Sequence, residues 1–317
     1  MPSVERHGPD RNAEWDAFVD GAKNATFLFY RSYMDYHAPC FIDHSLIFKQ
    51  NGMTVALLPA HEAAGDLSSH GGLTYGGLIV GDDMTTAMML AVFKALIGYA
   101  RETGFKALQY KTVPTIYHRR PAEEDRYALF RFDAKLMRRD VLSVVDPAAG
   151  ALRQTRRRRA AAKAVRAGIS VVEDTNFSVF WPVLEALLSE RYDTVPVHSL
   201  AEIELLHSQF PNHIRLFTAR DGSGEIQAGA VIYESIQVAH VQYMAASGAG
   251  RGNGALDLVL SHLLDQVFTT KQWFDFGISN EAEGRVLNEG LIDFKEGFGA
   301  RAVVHDIYRF DLAGDGL

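Results

Sequence analysis

The stretch SLIFKQNGMTVALLPAH, residues 45–61, is two apolar runs hinged at Asn51-Gly52. Asn and Gly both tolerate positive φ, so the dipeptide predicts a type I′ turn and the flanking runs an antiparallel hairpin. The plan returns in IRLFTARDGSGEIQAGAVIYE, residues 214–234, hinged at Asp221-Gly222-Ser223-Gly224. Each hairpin leads into an apolar segment carrying glycine and tyrosine, HGGLTYGGLIV at 70–80 and AHVQYMAASGAG at 239–250. Each segment enters a long apolar helix, about 84–103 and about 254–268, and each helix is followed by a strand, FKALQYKTV at 105–113 and WFDFGIS at 273–279. Asn51 and Asp221, like Phe105 and Trp273, stand about 170 residues apart. The chain therefore reads as two copies of one order, hairpin, strand, helix, strand. That order implies an α/β (α+β) fold in which each half is a mixed, mostly antiparallel sheet flanked by helices. The expected domains are 1–150 and 151–317.

Composition bounds the alternatives. A chain of 317 residues exceeds the usual size of a single core, which agrees with two domains. The one cysteine, Cys40, excludes an internal disulfide and a cysteine-cluster metal site, and points to a reducing compartment. The N-terminal residues are charged from the fifth onward and show no signal peptide. The most apolar helix-length run, MTTAMMLAVFKALIGYA at 84–100, is too short for a span and contains Lys94, so the expectation is a cytoplasmic protein with no membrane span. A net charge of −7 argues against general nucleic-acid coating, though not against a local basic groove.

Between the halves lies ALRQTRRRRAAAKAVRAG, residues 151–168, a helix ending at Gly168. Helical spacing places Arg159, Lys163 and Arg166 on one face and Arg153, Arg156 and Arg157 on a neighbouring one. The run is either a solvated face or, through Arg156 and Arg157, a partner for phosphate oxygens, which guanidinium forks match in pairs. Two further helices follow, FWPVLEALLSERY with Pro182 in its first turn, and SLAEIELLHSQF with a capping box from Ser199 to Glu202.

Several motifs carry candidate chemistry. GAGRGNGALDLVL, residues 248–260, follows a strand and opens a helix, so it is either a simple reversal or an anion cradle in which Arg251, Gly252 and Gly254 face a phosphate. It matches neither the dinucleotide fingerprint nor the Walker loop. Lys295, in LIDFKEGFGAR at 291–301, sits between Phe294 and Phe298. It is either the exposed charge of a C-terminal helical plug or a cation held in a dry cleft where negative charge develops. Asp275, Glu281, Glu283, Glu289 and Asp293 form a group of carboxylates from which one near Lys295, Asp275 foremost, can take a proton from an amine. His118, with Lys111 and Tyr117, follows a sheet strand. Together with Tyr75 and Tyr243 these are the candidate acceptor contacts. The histidines lack HExxH spacing and no metal is expected. No GxSxG elbow is present, so a covalent nucleophile is not supported.

The chain resembles the two-domain acyltransferases related to the FemABX peptidyl transferases, each half of which has a GNAT-type fold. The resemblance rests on WFDFGISNEAEG followed by LNEGLIDFKEGFGAR, on YKTVPTIYHRRPAEEDRYALF, and on the arginine helix leading into KAVRAGISVVE. PVHSLAEIELLHSQFP and the passage from VQYMAAS to GALDLVL fit the same pattern, so it spans nearly the whole chain. It implies two GNAT-like domains, the second catalytic, with Lys295 matching the family lysine that stabilises developing negative charge near the donor. It implies acyl-CoA or aminoacyl-tRNA as co-substrate, no permanently bound cofactor, and an amine acceptor. Arg251 and Gly254 fit the family's Q/R-x-x-G-x-G/A loop, with Leu256 where Gly or Ala is expected.

The function expected is transfer of an acyl group from an acyl-CoA-type donor to an amine on an amino sugar, peptide or cell-envelope precursor. The alternatives are aminoacyl-tRNA-dependent transfer, with tRNA as partner, and a catalytically silent tandem module that binds a ligand.

Overall fold

The computed structural model describes residues 1–37, 40–149 and 153–312, so the junction expected between residues 150 and 151 lies outside the described residues. The chain divides into two compact units. One consists of Met1–Asp140, Ala282–Arg285 and Val304–Leu317, the other of Val141–Glu281 and Val286–Val303.

The first unit opens with β1 (Ser3–Arg6), α1 (Asn12–Gly21), the single turn α2 (Arg31–Met34) and β2 (Ile42–Asp43). β3 (Leu46–Gln50) and β4 (Met53–Leu58) form the hairpin read from the sequence. Asn51 at φ 52° and Gly52 at φ 80° supply the two left-handed residues of its turn. Pro59, which has no donor for a ladder, follows β4. A second hairpin, β5 (Ala60–Ala63) and β6 (Asp66–Ser69), then folds over Ala64 and Gly65, both at positive φ. The sequence plan has no counterpart for this hairpin. Of the segment 70–80, read as a full strand, only β7 (Ile79–Val80) joins a sheet. The reason is local packing: Gly77 lies so close to the end of a neighbouring strand that a Cβ on it would stand 2.8 Å from the Lys111 carbonyl oxygen.

α3 (Thr86–Glu102) buries Met89, Val92, Phe93, Leu96, Ile97 and Ala100, the three-and-four spacing of one helical face, and Thr85 caps it by accepting from the Met88 N–H. β8 (Ala107–Lys111), α4 (Glu124–Arg131) and the first part of β9 (Lys135–Val145) follow. The sheets run β1–β3–β4–β7 and, from the C-terminal strand Arg301–Asp311, through β8, β6 and β5 to β2. β6 and β8 are parallel, with Leu67 opposite Leu108 and Ser68 opposite Gln109.

The second unit begins with α5 (Thr155–Arg166) and β10 (Ser170–Asp174), then α6 (Trp181–Tyr192) and α7 (Leu200–Gln209), the last closed by the capping box Ser199–Glu202. β11 (Ile214–Arg220) and β12 (Ile226–Glu234) are the second hairpin, whose turn is tied by Asp221 accepting from the Ser223 and Glu225 N–H groups. β13 (Val238–Ala246), α8 (Gly248–Asn253), α9 (Ala255–His262) and β14 (Trp273–Ile278) complete the order read from the sequence. A two-residue ribbon, β15 (Asn280–Glu281) and β16 (Val286–Leu287), leads to α10 (Glu289–Glu296) and β17 (Arg301–Asp311). The strand order is β10–β11–β12–β13–β14–β9, antiparallel except for β13 and β14. The α/β fold with mostly antiparallel sheets is therefore present in both units. Each is completed by a strand from the opposite half of the sequence, Val304–Asp311 in the first and Val141–Val145 in the second.

Each unit has its own core, one around Phe48, Phe93, Leu96 and Tyr110, the other around Phe217, Leu260, Phe274 and Phe298. Burying such a side chain contributes roughly 1.5–3 kcal/mol. Within the second unit, glycines set the spacing. A Cβ on Gly250 would lie 1.8 Å from the Gln227 carbonyl oxygen of β12, and one on Gly254, at φ +85°, would lie 2.4 Å from the Ala160 carbonyl oxygen of α5. Gly252, between them, has open space around it. Gly250→Ala is expected to cost about 1–3 kcal/mol by overpacking, whereas Gly252→Ala is expected to be neutral or to add up to about 1 kcal/mol through helix propensity. Urea denaturation of the two variants beside wild type checks both.

Candidate functional site

The site grows from a pairing that stops early. β13 and β14 are bonded in parallel only at Val238–Trp273, Ala239–Phe274 and His240–Asp275. Beyond that point β13 carries a bulge: Ile232 of β12 faces Val241 and Val231 faces Tyr243, so Gln242 is the extra residue. The strands then part, and a cleft of about 900 Å³ opens beside Val241, Gln242, Tyr243 and Met244 on one side and Phe276 on the other. Leu184, Leu187, Leu188 and Arg191, at helical spacing on α6, form a third wall, and Leu291 and Phe294 of α10 a fourth.

Three arginines line this cleft, Arg157, Arg191 and Arg251. Arg157 lies 4.3 Å above the Phe294 ring and bonds Asp257 at 3.1 Å. Burial pushes the Asp257 carboxyl up, and Arg157 opposes that shift. Arg251 meets the exposed Glu190 at 3.1 Å, a surface pair worth little and easily exchanged for a ligand. Arg191 has no carboxylate partner among the described residues. Arg156 lies outside the cleft on an exposed face, bonded to Asp293 at 2.6 Å. The glycine run is helical from Gly248, with Ser247 accepting from the Gly250 N–H, and Gly252 uses its carbonyl to accept from Lys163. Gly254 is the left-handed joint between α8 and α9.

Lys295 is 2% exposed. Its ammonium donates to the carbonyls of Gly277 at 3.1 Å and Ile278 at 2.6 Å, leaving one N–H without a partner among the described residues. Desolvation pulls its pKa down to about 8, against an opposing effect of Asp275. Lys295 does not itself line the cleft, although its helix neighbours Leu291 and Phe294 do. Asp275 is fully buried, meets His240 Nδ1 at 2.8 Å through Oδ2, and accepts from the Gly277 N–H at 2.7 Å through Oδ1. The result is one connected group: His240, Asp275, the Gly277–Ile278 turn and Lys295.

Of the expected acceptor contacts, only Tyr243 lines this cleft, and its hydroxyl meets His198 Nδ1 at 2.6 Å. The others belong to the first unit. Tyr75 and Tyr117 are buried with ring centres 4.2 Å apart. Lys111 donates to the Leu73 carbonyl at 2.7 Å and burial lowers its pKa to about 8. His118 approaches the Val113 carbonyl at 3.2 Å, and burial lowers its pKa to about 4. In this unit the parallel pair β6 and β8 also ends, but the segment Leu73–Leu78 packs onto the strand ends, with the Leu78 N–H donating to Tyr110 Oη at 2.8 Å. The sequence reading missed His240, Arg191 and the bulge at Gln242. His240 was visible in AHVQYMAAS, but its partner is set by strand register, which one strand's sequence does not reveal.

The acetyltransferase (GNAT) domain family matches residues 149–295, nearly the whole second unit. No curated protein matches the chain in sequence. Among solved structures it is similar to FemX, with a TM-score of 0.67 and 13% identity over 95% of this chain and 96% of that one. It is also similar to L-PGS from Bacillus licheniformis, with a TM-score of 0.64 and 13% identity over 98% and 94%. A tandem GNAT protein of the clavulanic acid biosynthesis pathway gives a TM-score of 0.54 and 12% identity over the full length of both chains. At such identities the likeness is one of fold. Among the described residues no helix is long and apolar enough to cross a membrane.

The buried ammonium has a measurable signature. Because the folded pKa of Lys295, about 8, lies below the about 10.4 of an unfolded lysine, the unfolded chain binds more protons between these values. Wild-type stability therefore gains from this group as pH rises through that window. Lys295→Met lacks the titration, so the stability difference, Met variant minus wild type, is expected to shrink by on the order of 3 kcal/mol between pH 7.5 and 10.5. Urea denaturation of both proteins at the two pH values measures it, and a constant difference counts against the depressed pKa.

Proposed function

We propose that this chain, a FemABX-like N-acyltransferase of the GNAT fold, carries an acyl group from an acyl-CoA-type thioester to an amine, and does so in its second unit. Acyl or aminoacyl transfer is the activity class that the domain and the fold support. The observation that carries the finer reading is the cleft where β13 and β14 part, apolar along its walls and furnished with Arg157, Arg191 and Arg251. An extended thioester arm fits between separated strands, where the bulge at Gln242 leaves backbone groups out of the ladder. The arginines suit the anionic end of such a donor.

In this reading the amine nitrogen attacks the acyl carbon, a C–N bond forms, and the carbonyl oxygen becomes an oxyanion before the C–S bond breaks. Lys295 does not line the cleft, so its positive charge acts on that oxyanion from behind the Gly277–Ile278 turn, an effect of up to roughly 3 kcal/mol. Asp275, with no exposed surface, does not touch substrate and holds negative charge beneath the reacting groups. Tyr243 borders the acceptor side.

A second reading takes the acyl group from an aminoacyl-tRNA. It is favoured by Arg158, Arg159 and Arg166 of α5, which are exposed and have no carboxylate partner among the described residues. The two readings separate in a thermal-shift panel of CoA, acetyl-CoA, longer acyl-CoA thioesters and charged tRNA. The first expects CoA thioesters to raise the melting temperature, and transfer supported only by charged tRNA overturns it.

Two kinetic outcomes follow. Lys295→Met is expected to lower kcat/KM by about a hundredfold with the donor KM little changed, and Lys295→Arg to recover only part, since a planar fork does not occupy the place of a compact ammonium. Arg191→Gln combined with Arg251→Gln is expected to raise the donor KM several-fold, more at low salt than at high. Steady-state kinetics at two ionic strengths checks both, and full activity in Lys295→Met removes the catalytic role.

A further inference from the structure

We propose that His240 is the proton acceptor of the transfer, held in its working tautomer by Asp275, an assignment that rests on the acyl-transfer reading of the second unit. His240 and Asp275 are opposite each other in the last bonded register of β13 and β14, one step before the strands separate and Val241, Gln242 and Phe276 begin to line the cleft. His240 does not itself line the cleft, but it is joined in the chain to Val241, which does, and its ring keeps 11% of its surface at the fork.

The contacts show which ring nitrogen faces Asp275 and which does not. Asp275 accepts from the Gly277 N–H through Oδ1 and meets His240 Nδ1 at 2.8 Å through Oδ2; an ionised carboxylate can only accept, so in this assignment the hydrogen resides on Nδ1. Nε2 therefore presents a lone pair. Among the described residues no side chain or backbone group bonds Nε2, and the ring retains 11% of its surface, so this nitrogen is not sealed in the core. The position beside it is a glycine: a Cβ on Gly277, at φ +71°, would lie 3.3 Å from His240 Cε1, so any other residue there would crowd the open edge of the ring. The groups facing the dyad are Lys295 of α10, which binds the Gly277 and Ile278 carbonyls, and Tyr233 of β12, the register partner of His240.

The step balances without any further reagent. The neutral amine forms the C–N bond, its surplus proton passes to Nε2, the imidazolium is stabilised by the Asp275 carboxylate, and the C–S bond breaks to release a thiolate that takes the proton back from Nε2. Lys295 and His240 then divide the work, one favouring negative charge on oxygen from behind the Gly277–Ile278 turn and the other taking the proton from nitrogen. Asp275 is the positioning residue between them.

The test uses the full chain and His240→Gln, with melting curves to show that both fold. With acetyl-CoA and a panel of primary amines, followed by thiol release, the variant is expected to lose about a hundredfold or more in kcat, to keep the donor KM within about twofold, and to lose the acidic limb of its pH profile. An unchanged kcat, or an unchanged acidic limb, overturns the assignment. Two measurements need no turnover. Long-range proton–nitrogen NMR of the histidine-labelled protein is expected to show His240 protonated at Nδ1 and bare at Nε2, and diethyl pyrocarbonate is expected to modify it in peptide maps. A ring protonated at Nε2, or inert to the reagent, overturns the proposal on its own. A wild type that turns over no amine with any CoA thioester, while its ring shows the expected tautomer and reactivity, counts against the acyl-CoA reading instead.

Discussion

Everything distinctive about the second unit depends on β13 and β14 being partners for only three residues. Parallel strands that stayed together would satisfy their backbone groups and close the sheet. Here the bulge at Gln242 bends β13 away, and the space that opens is large enough for a ligand. The first unit has the same parallel contact between β6 and β8, yet its own segment Leu73–Leu78 occupies the strand ends. One supersecondary plan thus yields a cleft in one copy and a filled core in the other, and the difference is a glycine-rich segment that can approach backbone closely.

The glycines before α9 show why a motif and its purpose need separate arguments. As a sequence, GAGRGNGA reads as a flexible turn. In the fold, Gly250 and Gly254 are needed where helices press on the backbone of β12 and α5, while Arg251 and the outer wall of α8 are what the cleft receives. α5 in turn divides its arginines. Arg157 lays its guanidinium over the rings of Phe294 and Phe298, a cation–π arrangement, whereas Arg158 and Arg159 remain in water.

The hairpins, the long helices and the mixed sheets were legible because turn chemistry and apolar spacing are local. Asn51-Gly52 and the Ser199–Glu202 box are each determined within a few residues. The hairpin at Ala64-Gly65 escaped because Ala at positive φ carries no signal of its own. At the site, Lys295 stood out as a charge among phenylalanines, and Tyr243 as a polar ring in an apolar strand. His240, Arg191 and Gln242 did not, since their meaning comes from a cross-strand register, a helix face and a bulge, all of which are relations between distant segments.

The exchange of strands between the halves bears on how the protein is made. The first unit lacks a strand until Val304–Asp311 arrives: Thr112 waits for Asp306, 194 residues later. Closing so long a loop carries an entropic cost of roughly 5 kcal/mol, met only when the final strand docks. During synthesis from the N-terminus, that half therefore emerges with an open sheet edge at β8 and stays incomplete until Val304–Asp311 has left the ribosome. The period of exposure is set by the order of the polypeptide, in which about 190 residues separate β8 from its partner β17.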